Sequence, residues 1–271
     1  MSKRIGYRER AAFYDLEHTT TADHEFLIDA TAPPVCSVLE IPCGVGRATL
    51  HLARPGLRLV AVDIEPEMIE ILRQRALGGP HGSTIEAVVG DLRSLSLHET
   101  FERIIVPREA FQLLTVPEDA HAALVRLREH LDPEGTLVID LAHFRAGTDA
   151  DPDLQPFYFD PSLPEGEVVE EWEGQLPSGA RVQRSRQQFA LTDRQRLVRY
   201  HYDVKWPDGR REAWTMDMPL RLYERDEFLD LAHRAGLEAS DVYRDYRRRP
   251  HGPGAERMIV LLRRAGPQER A

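Results

Sequence analysis

The chain has 271 residues, 42% of them hydrophobic and 30% charged, with a net charge of −10 from 35 Lys and Arg against 45 Asp and Glu. That length holds one large α/β domain, or a smaller domain with an elaboration. The acidic balance argues against general nucleic-acid binding, because a phosphate backbone repels it, and no apolar run nears the roughly 20 residues that cross a bilayer.

The N-terminal stretch MSKRIGYRERAAFYD has no apolar segment of the kind a secretory leader carries. The two cysteines, Cys36 and Cys43, flank one predicted strand. A strand holds its ends too far apart for a disulfide, so free thiols in a reducing, cytoplasmic setting are expected. No CxxC pair or Cys/His cluster is present, so no metal is expected.

From about residue 35 to 142 strands and helices alternate. Val35-Cys36-Ser37-Val38-Leu39-Glu40 is a β-rich run that ends in Pro42-Cys43-Gly44-Val45-Gly46. Arg47 to Ala53 reads as a helix stopped by Pro55-Gly56, and Leu57 to Val62 as a second strand. Glu65 to Leu77 is a predicted helix with Pro66 in its first turn, Gly78-Gly79 after its last, and Met68, Ile69, Ile71 and Leu72 on its core face. Ile85–Val89 and Arg103–Val106 are the third and fourth strands. Glu118 to Leu131 is a helix broken by Asp132-Pro133-Glu134-Gly135, and Thr136 to Leu141 a fifth strand. Helices of this length between strands imply right-handed βαβ units and a parallel sheet.

From about 165 the period becomes two. Tyr200, Tyr202, Val204 and Trp206 alternate with Arg199, His201, Asp203 and Lys205, and Pro207-Asp208-Gly209 signals a hairpin turn. Trp214, Met216, Met218 and Leu220 alternate again, and Leu176-Pro177-Ser178-Gly179 marks another turn. An antiparallel sheet of three or four strands after the fifth parallel strand is expected. Residues 181–211 carry nine Arg or Lys against three Asp. They read as a solvated strand face, with steering of an anionic substrate as the alternative. The α/β pattern returns with a helix from Asp226 to Ala235, closed by Gly236, and strands near Glu238–Tyr243 and Arg257–Leu262. The tail after Ala265 reads as disordered.

The strongest local signal is Glu40-Ile41-Pro42-Cys43-Gly44-Val45-Gly46-Arg47. A glycine-bearing turn between strand and helix lets the backbone approach a ligand closely. A second acid, Asp63, ends the next strand 23 residues after Glu40, where a carboxylate accepts the ribose hydroxyls of an adenosine. A third, Asp91 in Val89-Gly90-Asp91-Leu92, lies just past the third strand and suits an adenine amino group. Singly, each acid reads as a cap for the following turn; three at corresponding strand ends point to a cofactor. A nicotinamide dinucleotide would want a full G-x-G-x-x-G, which Pro42 to Thr49 does not provide.

Together these features resemble the class I S-adenosylmethionine-dependent methyltransferases. The run His130 to Leu137 and the closing helix and hairpin are similar too, whereas Pro42 departs from the glycine usual at that place. The resemblance implies a Rossmann-like, seven-stranded, mostly parallel sheet. It implies that S-adenosyl-L-methionine is held by Tyr14, Glu40, Pro42, Gly44, Gly46, Asp63, Ile64, Met68, Asp91, Leu92 and Pro107. Phe13-Tyr14-Asp15-Leu16-Glu17 resembles the lead-in of small-molecule methyltransferases, where an aromatic residue lids the methionine end. The insertion is similar to that of glycine N-methyltransferase and the amino-sugar and glycopeptide N-methyltransferases. Residues 1–145 with 222–265 are then the cofactor domain, and 165–221 an insertion covering the acceptor site. The expected partner is a small-molecule acceptor, an anionic one included, methylated at an amine nitrogen. Oxygen or carbon methylation, a peptide amine, or a non-catalytic binder are the alternatives, and a homodimer is the assembly to consider.

Methyl transfer from a sulfonium is an in-line displacement in which positioning supplies much of the rate. Catalytic candidates therefore sit at the carboxyl ends of parallel strands. Glu109, in Pro107-Arg108-Glu109-Ala110-Phe111-Gln112, is a candidate for an ammonium. His143, in His143-Phe144-Arg145, is a candidate proton acceptor. Tyr14 is the third, and Arg221 and Tyr223 are candidates to reach the pocket from the insertion.

Overall fold

The computed structural model describes residues 3–144 and 158–266. In chain order its elements are β1 (Lys3–Arg4), α1 (Tyr7–Arg10), α2 (Tyr14–Glu17), α3 (His24–Ala30), β2 (Ser37–Glu40), α4 (Thr49–Leu52), β3 (Arg58–Asp63) and α5 (Pro66–Leu77). There follow β4 (Ile85–Val89), β5 (Phe101–Val106), α6 (Pro117–Glu129), β6 (Leu131–Ala142), β7 (Val169–Gln175), β8 (Arg181–Ala190), β9 (Gln195–Lys205), β10 (Arg211–Arg221), α7 (Arg225–Arg234), β11 (Leu237–Tyr243) and β12 (Arg257–Arg264).

Seven strands form one sheet in the order β11-β12-β6-β5-β2-β3-β4. β2 to β6 run parallel, and β12 pairs antiparallel with both β6 and β11. The central strands read as near-continuous apolar runs because helices cover both faces: Val38, Leu39, Leu59, Val60, Ala61, Val62, Ile104, Ile105 and Val106 are all buried. On one face α6 and α7 pack Leu124, Leu127, Phe228 and Leu231 against Leu39, Ile104 and Ile139. On the other α3 and α4 bring Phe26, Leu27 and Leu52 to Val38 and Ile105. Chain order reverses between β2 and β5, and that switch point is where ligands enter open α/β sheets.

The fifth strand is longer than the sequence implies. Leu131 already pairs with Phe101, and the ladder shifts register before Arg103 pairs with Thr136, so Asp132 to Gly135 is absorbed as a bulge. The helix after the glycine turn is shorter, Thr49–Leu52 in place of Arg47–Ala53.

The second sheet has five strands, β1-β10-β9-β8-β7. Three or four were expected; the fifth is β1, which adds parallel to β10 at Trp214 and Thr215. Its two-residue length carries no sequence signal. The inner face stacks cross-strand rows, Arg184–Tyr202–Trp214 and Arg186–Tyr200–Met216. Phe13 packs into this face against Tyr202 at 4.8 Å between ring centroids. Arg184 and Arg186 are therefore buried, at 4% and 5% exposure. This corrects the reading of 181–211 as a uniformly solvated face. Strand alternation puts Val182, Arg184, Arg186 and Gln188 inward together, with carboxylates brought from elsewhere to meet the guanidiniums. Cys36 is exposed and Cys43 buried, and both are free thiols. Among the described residues no helix is long and apolar enough to cross a membrane.

Candidate active site

A cavity of about 480 Å³ opens at the switch point, within the range of small-molecule sites. One wall is the glycine turn. Ile41 N donates to Ile105 O at 2.9 Å and Cys43 N to Val62 O at 2.8 Å, which stitches the turn between β5 and β3. Gly44 and Gly46 both take positive φ, +55° and +91°. A Cβ on Gly46 would lie 2.4 Å from Leu72 of α5, and one on Gly44 would lie 2.5 Å from the Tyr14 hydroxyl. Both glycines are thus required by close approach, and the Tyr14 ring lies against Gly44.

The strand-end acids converge here. Asp63 is buried; Oδ2 accepts from Gly44 N at 2.8 Å and Oδ1 from Glu65 N at 3.0 Å. Burial pushes its pKa up, against the pull of those N–H groups. Glu40, at 1% exposure, accepts from the Thr49 hydroxyl at 2.6 Å. Burial raises its pKa to about 7, opposed by Thr49 and by the nearby Arg47. Asp91 differs. It is gripped by Arg93, Nε to Oδ1 at 2.9 Å and Nη2 to Oδ2 at 2.5 Å, and that hydrogen-bonded guanidinium lowers its pKa. Arg93 also reaches Asp119 at 3.1 Å. Pro42, Ile64, Met68, Leu92 and Pro107 line the same cavity, as does Tyr14; Gly46 shapes the turn behind it.

The opposite wall comes from the N-terminal helices, the turn after β5 and Tyr158, which precedes β7. Tyr7, Arg10, Tyr14, His18, Arg108 and Tyr158 line it, with Arg47 alongside. His18 stacks on Tyr14, centroids 3.9 Å apart, and burial together with the surrounding arginines holds it neutral by lowering its pKa. Burial likewise pushes the hydroxyls of Tyr7, Tyr14 and Tyr158 up, so they remain protonated donors. Arg47 forks onto Asp23 at 2.7 and 2.6 Å, and Arg108 stands 4.0 Å from the same carboxylate. Tyr158 is pinned between the sheets: its N–H donates to Glu109 at 3.0 Å and its carbonyl accepts from Arg186 at 2.9 Å.

Two proposed catalytic residues do not reach the cavity. Glu109 is fully buried beneath it, accepting from Arg257 Nη2 at 2.8 Å as well as from Tyr158. Arg257 also donates to Asp140 at 2.7 Å, and Tyr246 OH donates to that acid at 2.7 Å. Glu109 and Arg108 take left-handed φ of +63° and +45°. That turn sends consecutive side chains opposite ways, Arg108 into the cavity and Glu109 into the ion cluster. His143 is buried behind β6 with Nε2 2.8 Å from Nε2 of His251, and it does not line the cavity. Both are corrections to the sequence expectation, and both arise because position after a strand fixes proximity but not side-chain direction. Arg221 turns to Glu227 and Tyr223 OH donates to Leu114 O, so neither lines the cavity. Arg145 and the tail from 267 lie outside the described residues.

Tyr7, Arg10, His18 and Tyr158 were not singled out from sequence. Tyr7 and Arg10, like Tyr14 and His18, have the three- and four-residue spacing that shares a helix face. That spacing was the available signal for Tyr7, Arg10 and His18; Tyr158 carried none.

Residues 38–135 match the family described as a methyltransferase domain. The chain is 29% identical over 232 residues to the cypemycin N-terminal methyltransferase of a Streptomyces species, covering 84% of this chain and 83% of that protein. It is 24% identical over 268 residues to the dTDP-3-amino-3,6-dideoxy-alpha-D-glucopyranose N,N-dimethyltransferase of Streptomyces fradiae, covering 94% and 91%. Its fold matches the S-adenosylmethionine-bound structure of CalS10, an amino pentose methyltransferase from Micromonospora echinaspora. The TM-score there is 0.65 at 19% identity, over 97% of this chain and all of that one. The sheet order, the glycine turn and these matches make residues 38–135 a methyltransferase domain that resembles the class I S-adenosylmethionine-dependent methyltransferases, with S-adenosyl-L-methionine as its cofactor.

Proposed function

We propose that the chain is an N-methyltransferase acting on an amine of a small natural-product-like molecule. In this reading Glu40, Gly44, Asp63, Asp91 and the neighbours named above hold the cofactor, and Tyr14 covers its methionine end. The N-terminal helices and Tyr158 roof the acceptor, with the sheet of residues 165–221 packed behind them through Met218. The observation that carries the reading is the shape of the cavity. It runs without a break from the glycine turn to the roof residues Tyr7, Arg10 and Tyr158. The residues present suit the cofactor: Gly44 lines the cavity without a side chain, and Asp63 keeps a lone pair on each oxygen for hydroxyl donors.

The bound cofactor supplies an electrophilic methyl on a sulfonium. The chain's own residues then need to orient an amine in line with it and keep water out. His18, held neutral beside Tyr14, lines the same cavity. Nitrogen is favoured because one relative of this chain is by name an N-terminal methyltransferase and another an N,N-dimethyltransferase. The cypemycin relative also supports a second reading, in which the amine is the N-terminus of a peptide.

The test is methyl transfer to paired acceptors: a short peptide and its N-acetylated form, and an amino sugar and its hydroxyl counterpart. Formation of S-adenosylhomocysteine and the mass of the product are followed. The reading expects transfer only to the free amine of at least one pair. Transfer to the hydroxyl partner would overturn it, and cofactor binding with no turnover on any acceptor would favour a sensor.

A further inference from the structure

We propose that Tyr7 and Arg10 form a subsite for an anionic group of the methyl acceptor; this rests on reading the cavity as a joint cofactor and acceptor site. Both residues belong to α1 and lie three positions apart, on one face of a helical turn. Both line the cavity.

Their donors are poorly met by the protein. Tyr7 OH donates to Met218 Sδ at 3.1 Å, and Arg10 Nη1 reaches the same sulfur at 3.6 Å. A thioether is a weak acceptor, and here it serves two donors at once. Arg10 Nη2 is buried with no hydrogen-bond partner. Nε is held by Glu17 at 2.6 Å. Glu17, however, also faces Arg184 at 3.4 Å and accepts from the Tyr202 hydroxyl. Arg184 in turn shares Glu171 with Arg186. Arg10 thus has only a share of one carboxylate while almost wholly removed from water, at 2% exposure. A buried guanidinium with idle donors is an expensive arrangement unless a ligand completes it. The group that completes it best carries several anionic oxygens, which take charge-assisted bonds from Arg and from a phenol together.

The position separates this subsite from the glycine turn. Arg10 packs on the rings of Tyr7, Tyr200 and Tyr158, at 5.5, 5.4 and 6.0 Å, and on Met218 of β10. The cation beside Glu40 is Arg47, and Tyr14 stands against Gly44. An anion bound at Arg10 therefore belongs to the molecule under the second sheet. A carboxylate on an amino-acid-like acceptor and the diphosphate of a nucleotide-linked amino sugar present the same chemistry.

The experiment saturates the whole protein with S-adenosylhomocysteine and titrates in, separately, succinate and inorganic pyrophosphate by calorimetry. The proposal expects saturable one-to-one binding of at least one of them, and the probe that binds names the source. Arg10→Gln should weaken that binding about tenfold or more, and Tyr7→Phe several-fold, with S-adenosylhomocysteine affinity unchanged to within about twofold. Tyr7→Phe removes one hydroxyl and keeps the test open if Arg10→Gln does not fold. Three results overturn the proposal: neither probe binds, both variants bind the probe as the wild type does, or the variants lose S-adenosylhomocysteine affinity in step with it. Failure of the unaltered protein to bind S-adenosylhomocysteine counts instead against the cofactor reading, and the anion titrations are then read without it.

Discussion

At the glycine turn, carboxylates are satisfied by neutral donors: Asp63 by two backbone N–H groups, Glu40 by the Thr49 hydroxyl. On the inner face of the second sheet, charge is met by charge, in the chain Arg10–Glu17–Arg184–Glu171–Arg186. The first arrangement is local in sequence and leaves acceptor capacity for a ligand. The second joins residues more than 150 positions apart and leaves donors idle. Removing a group from the turn should therefore cost ligand affinity. Removing one from the ion chain should cost the fold, because it strands a buried partner.

Glu17→Ala should have the greatest consequence. It leaves Arg10 and Arg184 buried around a missing carboxylate, and unfolding free energy should fall by about 3–5 kcal/mol in urea titration. A loss under about 1 kcal/mol would mean that water or rearrangement replaces the acid, and the contrast between the two walls would fail. Next in size is Asp63→Ala. If Asp63 receives the ribose hydroxyls, S-adenosylhomocysteine affinity should drop by about 2–4 kcal/mol in calorimetry. Unchanged affinity would refute the assignment.

Glu40 gives a pH-dependent test. Its folded pKa, about 7, lies above the ordinary carboxylate range, so burial favours the protonated form. Its contribution to stability is full below the unfolded pKa and is lost as pH rises through the folded one. Relative to Glu40→Gln, the unliganded wild type should therefore lose stability between about pH 4.5 and 7, by on the order of 3 kcal/mol. A cationic cofactor reverses the preference. Its affinity should rise as Glu40 ionises through about pH 7, and Glu40→Gln should flatten that rise. Parallel pH profiles for both proteins would remove Glu40 from the site.

The parallel half of the fold was legible because its signals are local. The Glu40 to Gly46 turn, Asp63 and Asp91 each sit at the end of an apolar run, and the topology brings such ends together. The antiparallel hairpins were legible from period two and the turns at Gly179 and Gly209. The charged inner face of the second sheet was not. Arg184 and Arg186 in Val182-Gln183-Arg184-Ser185-Arg186 show no apolar alternation, and the carboxylates that let them be buried, Glu17 and Glu171, lie far from them in sequence or on a neighbouring strand. Glu109 and His143 stood after the right strands but turn away. A left-handed backbone at Arg108 and Glu109, which decides which side chain enters the cavity, leaves no trace in residue type.

The smallest expected effect comes from Arg199, which belongs to the same basic run as Arg184 but points the other way. It forks onto Asp217 of the adjacent strand, Nε to Oδ1 at 2.6 Å and Nη2 to Oδ2 at 2.9 Å, with 38% of its side chain exposed. Arg4 also reaches Asp217, at 3.0 Å, so Asp217 keeps a cation when Arg199 is removed. An exposed cross-strand pair of this kind is worth about 0.2–1 kcal/mol and is weakened by salt. Arg199→Gln should therefore change unfolding free energy by about 0.5 kcal/mol, less still at high salt. Its kcat/KM for the acceptor should match the wild type at low and high ionic strength, because the face it occupies is turned from the cavity. A rate that falls in Arg199→Gln at low salt and recovers with added salt would show the outward face steering an anionic acceptor. The division between an inward face that binds charge and an outward face that only dissolves it would then have to be given up.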